Sequence, residues 1–156
     1  RFILNDTILH NVSLGKNLTK KDHENLKKIW KIVDLDNLLK KYDKGFNTFI
    51  GDNGLKLSGG QEQKIIIARA LFNNPEILIF DEGTNALDVL SEKKIINNIR
   101  KKYKELTIIL ITHRLNALKK CNKIIFIQNS RVKKIANYTT LAKEKSFKKL
   151  IFNNYN

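Results

Sequence analysis

The sequence predicts an α/β fold built on a parallel sheet, and two apolar stretches carry that prediction. Residues 77–80 read Ile-Leu-Ile-Phe, a run that is too short for a helix, follows a proline and ends in two acids. Such a run is typical of a buried strand in a parallel sheet. Residues 107–111 form a second, β-branched run, and residues 91–103 before it have the isoleucine spacing of a helix. We expect both runs to be buried strands of one parallel-sheet core.

A helix is predicted just before the first of these strands. Ser58 is a favourable N-cap, and the run Gln63–Phe72 has helical composition until Pro75 stops it. Gly59 and Gly60 then fall in the first helical turn, where backbone N–H groups lack helical acceptors and the dipole is positive. Because neither glycine has a side chain, a phosphate could approach this turn closely. The sequence therefore predicts an anion site here.

Two carboxylates follow the first predicted strand. Ligands of open α/β sheets bind beyond the carboxyl ends of the strands. Asp81 and Glu82 occupy that end of the 77–80 strand. We therefore expect them to face a ligand.

The rest of the chain alternates helices, turns and one hairpin. Thr19 is expected to cap an amphipathic helix whose apolar positions recur at three- and four-residue steps. Asn129 and Ser130 predict the turn of a hairpin. The further predicted elements are helices at 35–39, 115–120, 139–145 and 147–152 and strands at 123–128 and 131–135.

Composition limits the classes of function. The 156 residues are one domain's worth of chain with a formal net charge of +15, but the basic residues are dispersed and not interleaved with aromatics, so no specific nucleic-acid partner is expected. Cys121 is the only cysteine, which excludes an internal disulfide and fits a reducing compartment. His10 and His23 do not have metal-ligand spacing with Cys121, so no metal site is expected among them. The sequence supports no nucleophilic triad. No apolar run is long enough to span a membrane.

Four motifs together resemble those of the ATP-binding-cassette (ABC) ATPases. Residues 57–61, Leu-Ser-Gly-Gly-Gln, resemble the signature motif, and residues 77–82 resemble the Walker B strand with its glutamate. Residues 83–88 resemble the D-loop, with Asn85 where serine is usual, and residues 111–114 resemble the switch-histidine loop. The resemblance implies a P-loop NTPase-like α/β core with a helical subdomain. Residues 1–75 would be the helical subdomain segment with the signature, and residues 76–156 the C-terminal half of the ATPase core.

The resemblance also implies roles for individual residues. Asp81 would hold Mg²⁺, through a water, and Glu82 would polarise the water that attacks ATP. His113 would contact the γ-phosphate. The remaining implied site residues would act across a dimer, Asp88 by linking the two sites and the others by binding the γ-phosphate held by the partner subunit: Ser58, Gly59, Gly60 and Gln61.

One expected motif does not occur in the sequence. No stretch matches the phosphate cradle G-x-x-x-x-G-K-[ST]; the only Gly-Lys pair, Gly15-Lys16, is followed by asparagine. The chain begins at Arg1 and contains no methionine. We therefore expect this to be the C-terminal portion of a nucleotide-binding domain, with the cradle, the Q-loop and the first strands upstream. Residues 1–156 alone are expected neither to bind ATP tightly nor to hydrolyse it.

The expected function is ATP hydrolysis that drives export across a membrane. The Gly-flanked loop at 48–54 resembles one that exporters carry before the signature. The expected partners are a second nucleotide-binding domain and transmembrane domains, in the same chain or a separate subunit, at the cytoplasmic face of the membrane. Two alternatives stay open: an ABC-type ATPase of DNA repair or chromosome maintenance, which would carry a long coiled coil before the signature, and a non-catalytic cassette, which would usually have lost Glu82 or His113.

Overall fold

The computed structural model describes residues 2–81, 86–112 and 115–148, with only the backbone of residues 115 and 116. The chain divides into two compact units, Arg1–Ile109 and Leu110–Asn156. The predicted boundary between residues 75 and 76 stays a prediction.

The first unit begins with a short strand and a helix. Strand β1 (Asp6–Thr7) is followed at once by helix α1 (Ile8–Ser13), whose N-cap is Thr7. The sequence reading gave this region no helix, because six residues are too few for a visible 3.6-residue period. Asn11 lies on the buried side of α1 and is wholly inaccessible to solvent.

The helical segment follows the sequence closely. Helix α2 (Lys20–Ile32) begins after Thr19 with a capping box, in which the Thr19 side chain accepts from the Asp22 N–H and the Asp22 carboxylate accepts from the Thr19 N–H. Helix α3 (Asp36–Lys40) comes next, as predicted, and a 3-10 turn spans Gly45–Asn47.

Trp30 organises the core of the helical segment. It is 1% exposed, and its indole Nε1 donates to the Leu35 carbonyl oxygen at 2.8 Å. Its ring meets that of Phe46 edge to face, with 5.0 Å between centroids. The indole thus ties α2 to the residue that precedes α3 and to the 3-10 turn.

Two glycines shape the loop after strand β2 (Phe49–Ile50), which pairs antiparallel with β1. Gly51 has φ +102°, and a Cβ there would lie 2.9 Å from the Cα of Asn5. A Cβ on Gly54 would lie 2.6 Å from the Phe49 carbonyl oxygen. Both positions need glycine because backbone approaches so closely.

The core elements then alternate in type. They are helix α4 (Gly59–Phe72), strand β3 (Ile77–Asp81), helix α5 (Val89–Lys102) and strand β4 (Thr107–Ile111). Strands β3 and β4 are neighbours in a parallel sheet, and the Thr107 N–H donates to the Glu76 carbonyl at 2.9 Å. This confirms the predicted α/β class. Both strands match their predicted positions within one residue, and α4 begins directly after the predicted N-cap Ser58 and ends at Phe72.

The prediction that both runs are buried strands is met on one face of β3 only, and no residue of β4 is fully buried. Leu78 and Phe80 are each 5% exposed, whereas Ile77 and Ile79 on the other face of β3 are nearly 60% exposed. Ile109 of β4 is also exposed. Successive side chains of a strand point to opposite faces, so covering one face buries only alternate residues.

An ion-pair cluster joins the helical segment to α4 and α5. Asp34, at φ +58° in the turn after α2, contacts Lys94 of α5 at 2.6 Å and Lys64 of α4 at 3.5 Å. Hydrogen bonding from Lys94 holds the pKa of Asp34 below its usual range. The Asn98 side chain adds a bond to the Ile32 carbonyl at 3.1 Å.

The second unit contains the predicted hairpin. Helix α6 (Leu115–Leu118) precedes strands β5 (Ile124–Gln128) and β6 (Arg131–Ala136), which pair antiparallel with a bulge after Phe126. Asn129 and Ser130 both have positive φ, near +51° and +58°, as a two-residue turn of the I′ kind requires.

The end of the chain differs from its prediction. Helix α7 (Tyr138–Leu141) stops four residues before the predicted Lys145, and a hydrogen bond from the Thr140 N–H to the Asn137 side chain caps its start. Much of the predicted helix at 147–152 lies outside the described residues. The core of this unit is a cluster of four buried side chains: Ile124, Phe126, Leu141 and Phe147.

Candidate functional site

The first turn of α4 is closed by a reciprocal cap. The Ser58 Oγ accepts from the Gln61 N–H at 3.3 Å, and the Gln61 Oε1 accepts from the Ser58 N–H at 2.9 Å. The Glu62 N–H donates to the Ser58 carbonyl at 3.0 Å. A serine three residues before a glutamine is the sequence pattern that produces this capping box. The cap fixes Ser58 at the tip of the helix and leaves its hydroxyl proton available to a ligand.

The N–H groups of Gly59 and Gly60 are the remaining donors of this turn. No helical carbonyl lies four residues before them, so both N–H groups project from the helix end, where the dipole is positive. Gly59 is exposed and Gly60 partly exposed. The four residues predicted to bind phosphate therefore form one continuous helix tip on which neither glycine has a side chain to shield the backbone.

Asp81 ends β3 with an exposed side chain. Among the described residues, no three His, Cys, Asp or Glu side chains gather closely enough to hold a metal ion. A single carboxylate nevertheless fits Mg²⁺, because this ion keeps several waters and usually takes one or two carboxylates together with substrate phosphates. The donor set is thus compatible with the predicted metal role of Asp81.

Asp88 has a local function that the sequence reading did not predict. It is the N-cap of α5, where its Oδ1 accepts from the N–H groups of Leu90 at 3.0 Å and Ser91 at 2.9 Å. The bonds from Ser91 hold the pKa of Asp88 below its ordinary value. The side chain therefore remains ionised at the exposed start of α5. An aspartate just before a helix was the sequence signal for this cap.

The predicted catalytic pair is not described. Glu82 and His113 both lie outside the described residues, as do Gly83, Thr84 and Asn85 of the D-loop motif. Their roles stay predictions, supported by the sequence motifs alone.

A partly buried polar network at the other end of α4 was missed. Arg69 donates from Nε to the Asn11 carbonyl at 2.6 Å, from Nη2 to the Asn11 Oδ1 at 3.1 Å and from Nη1 to the Phe2 carbonyl at 3.2 Å. Burial lowers the pKa of Arg69. The available signal was a lone arginine in the otherwise apolar second half of a helix, since such a residue requires buried acceptors.

Comparison with protein families decides the relationship. Residues 5–85, just over half of the chain, match the family model described as ABC transporter. The chain belongs to the ABC transporter family. The matched range includes all of the predicted signature and Walker B residues, and it ends at Asn85 within the D-loop motif.

Relatives from bacteria support the ABC assignment over almost the whole chain. The multidrug resistance-like ATP-binding protein MdlA of Buchnera aphidicola subsp. Schizaphis graminum is 38% identical over 152 residues, which are 97% of this chain and 26% of that protein. The leukotoxin translocation ATP-binding protein LktB of Mannheimia haemolytica is 40% identical over 134 residues, 83% of this chain and 19% of that protein. The chain thus spans 26% of the length of MdlA and 19% of that of LktB.

A solved ABC structure has the same fold. The structure of a bacterial Atm1-family ABC exporter with ATP bound matches with a TM-score of 0.85 and 28% identity, covering 99% of this chain and 27% of that one. This likeness confirms the predicted P-loop NTPase-like α/β fold. Within the described part of the ABC chain, no helix is both long and apolar enough to span a membrane.

Proposed function

We propose that this chain is part of the nucleotide-binding domain of an ABC exporter and contributes to an ATPase that powers export across a membrane. The observation that carries the proposal is the capped tip of α4, where Ser58, Gly59, Gly60 and Gln61 present phosphate-binding groups in the sequence of an ABC signature. The relatives support an export role because their names refer to multidrug resistance and to leukotoxin translocation. They favour it over DNA repair.

The chemistry assigns a task to each site residue. Hydrolysis requires charge neutralisation on the phosphates and an in-line water. Asp81 would hold Mg²⁺ through a water, and a bound ion there would supply charge neutralisation for the phosphates. Glu82 polarises the attacking water, and His113 contacts the γ-phosphate.

The signature residues act on nucleotide held by a second subunit. The tip of α4 is suited to close over another subunit's phosphates, because a helix N-terminus with exposed backbone donors is a ready anion site. Asp88, ionised at the start of α5, links the two sites. The partners are therefore a second nucleotide-binding domain and transmembrane domains, and the working position is the cytoplasmic face of the membrane.

Substitution of Glu82 in the full-length protein tests the proposal. Glu82→Gln keeps the size of the side chain but removes its basicity, so ATP turnover should fall by roughly 10²-fold or more while ATP remains bound. The matched control is Glu105→Gln, the same chemical change at an exposed residue beyond α5, which should leave turnover unchanged. Turnover that survives Glu82→Gln would reject this residue as the base. A wild-type protein that does not hydrolyse ATP would reject the proposal itself.

A further inference from the structure

We propose that Gln63 is a positioning residue that couples the signature helix to the D-loop segment of its own subunit; this inference rests on the proposed function. Gln63 lies in α4 and is only 3% exposed. Its Oε1 accepts a hydrogen bond from the Ala86 N–H at 3.1 Å, across 23 residues of chain. Ala86 is the first described residue after Asp81, and it lies two residues before Asp88.

The burial of Gln63 requires an explanation. Its neighbours on the buried side of α4 include Ile67 and Ala68, and an apolar side chain at position 63 would bury more favourably. Burying an amide is costly unless it is hydrogen-bonded. The bond to the Ala86 N–H meets that requirement and fixes the backbone of an exposed residue to a rigid helix.

The glycines of the signature lie against the same segment. A Cβ on Gly60 would be 3.3 Å from the Ala86 carbonyl oxygen, and one on Gly59 would be 3.6 Å from the Ala86 Cβ. Leu87, the next residue, is buried at 3% exposure. The first turn of α4 therefore packs directly on residues 86–87, and the Gln63 amide is the directional bond in that contact.

The contact has a consequence for the reaction. The helix whose tip would bind one nucleotide is bonded to Ala86, two residues before Asp88. When phosphate binding shifts the tip, Gln63 transmits the change to residues 86–88 through the Ala86 backbone. Gln63 thus sets the position of this end of the D-loop motif.

The structure also supplies a matched control. Lys94 and Asp34 form a second link between α5 and the rest of the first unit, but their side chains are 58% and 39% exposed. Exposed ion pairs contribute little to stability. Lys94→Met therefore removes a polar link between elements of the same unit without altering the D-loop contact.

Two substitutions separate the acceptor from the bulk of the side chain. In the full-length protein, Gln63→Met keeps an unbranched side chain but has no oxygen acceptor, whereas Gln63→Glu retains one. Turnover is measured per mole of bound ATP, so that a misfolded fraction does not count. We expect Gln63→Met to lower this turnover about fivefold, with KM within about twofold of wild type. A fivefold change corresponds to the loss of one neutral hydrogen bond, the one that holds Ala86 in its position for turnover. Gln63→Glu should recover most of the rate, and Lys94→Met should match wild type.

Hydrogen exchange provides a readout that does not depend on activity. The Ala86 amide should exchange about fivefold faster in Gln63→Met than in wild type, with α5 residues 95–99 unchanged. Equal exchange, or equal turnover per bound ATP, in Gln63→Met and wild type would overturn the inference. If Gln63→Met does not fold, the wild-type protein decides the matter, because an Ala86 amide that exchanges at the rate of an unstructured peptide also overturns it. Wild-type turnover with an unaffected Gln63→Met refutes only this inference, whereas a wild type without turnover refutes the proposed function.

Discussion

The strongest stability prediction concerns Asn11, whose amide is buried and fully engaged. Its Nδ2 donates to the carbonyl oxygens of Leu4 at 2.9 Å and Thr7 at 3.0 Å, and its Oδ1 accepts from the Leu4 N–H at 2.8 Å and from Arg69. Asn11→Asp replaces the donor with a carboxylate oxygen that faces two carbonyls. The change alters almost no volume, so its cost is electrostatic.

The magnitude follows from the bonds. Each buried carbonyl left without a donor costs about 1–3 kcal/mol, and the stronger charged contact with Arg69 returns roughly 1–2 kcal/mol. From the middle of these ranges, we expect Asn11→Asp to lower the free energy of unfolding by about 2.5 kcal/mol at pH 7.5. Asn5→Asp, the same change at an exposed residue, should cost less than about 0.5 kcal/mol.

The cost should depend on pH with a definite sign. Burial and the two carbonyls raise the folded-state pKa of the introduced carboxyl above its unfolded value. The folded variant therefore binds a proton more readily than the unfolded one, and its deficit should shrink as pH falls through the raised pKa. Thermal unfolding of the full-length variants at pH 7.5 and pH 5 measures this. A deficit equal to that of Asn5→Asp, or one that grows on acidification, would refute the reasoning.

Two further predictions concern the helical segment. Trp30→Phe removes the bond to the Leu35 carbonyl and part of a buried ring, so the free energy of unfolding should fall by about 2–4 kcal/mol. The control Phe46→Leu loses the ring contact but keeps that bond, and it should cost about 1 kcal/mol. Equal costs of the two substitutions in thermal unfolding would contradict the role of the indole hydrogen bond. Asp34→Asn should lower Tm slightly at pH 7, because the lowered pKa of Asp34 stabilises the fold while the carboxylate is charged. The difference should begin to shrink as pH falls through the ordinary value of 3.8 and disappear only below the lowered folded-state pKa. A difference as large at pH 3 as at pH 7 would show that charge is not responsible.

The fold was predictable wherever local chemistry sets the structure. Thr19 and Ser58 are followed three residues later by Asp22 and Gln61, and both capping boxes form. The hairpin turn was also predictable, because Asn129 tolerates the positive φ that the turn needs. Ser130 adopts positive φ as well, a conformation that glycine adopts more readily.

Features that depend on distant contacts were not predictable. The one-sided exposure of β3 depends on which elements cover it, and an apolar run such as residues 77–80 carries no record of that. Helix α1 is held partly by Asn11, whose partners include Arg69, 58 residues away in the chain. No local pattern could reveal that link.

The site was predictable in its identities but only partly in its geometry. Motif spacing located Ser58, Gly59, Gly60 and Gln61, and the structure places them on one helix tip. Motif spacing did not reveal that Asp88 caps α5 while its side chain remains exposed at the surface. The difference arises because a motif records which residues are present, whereas hydrogen-bond partners depend on the fold.

The exposed isoleucines of the sheet govern how these 156 residues behave as a colloid. Ile77, Ile79 and Ile109 present apolar area to water, which favours association between molecules. The net charge of +15 opposes it by mutual repulsion. Added salt screens that repulsion, and sulfate or phosphate also strengthens apolar contacts. We therefore expect this polypeptide to stay dispersed at low ionic strength and to associate as salt rises.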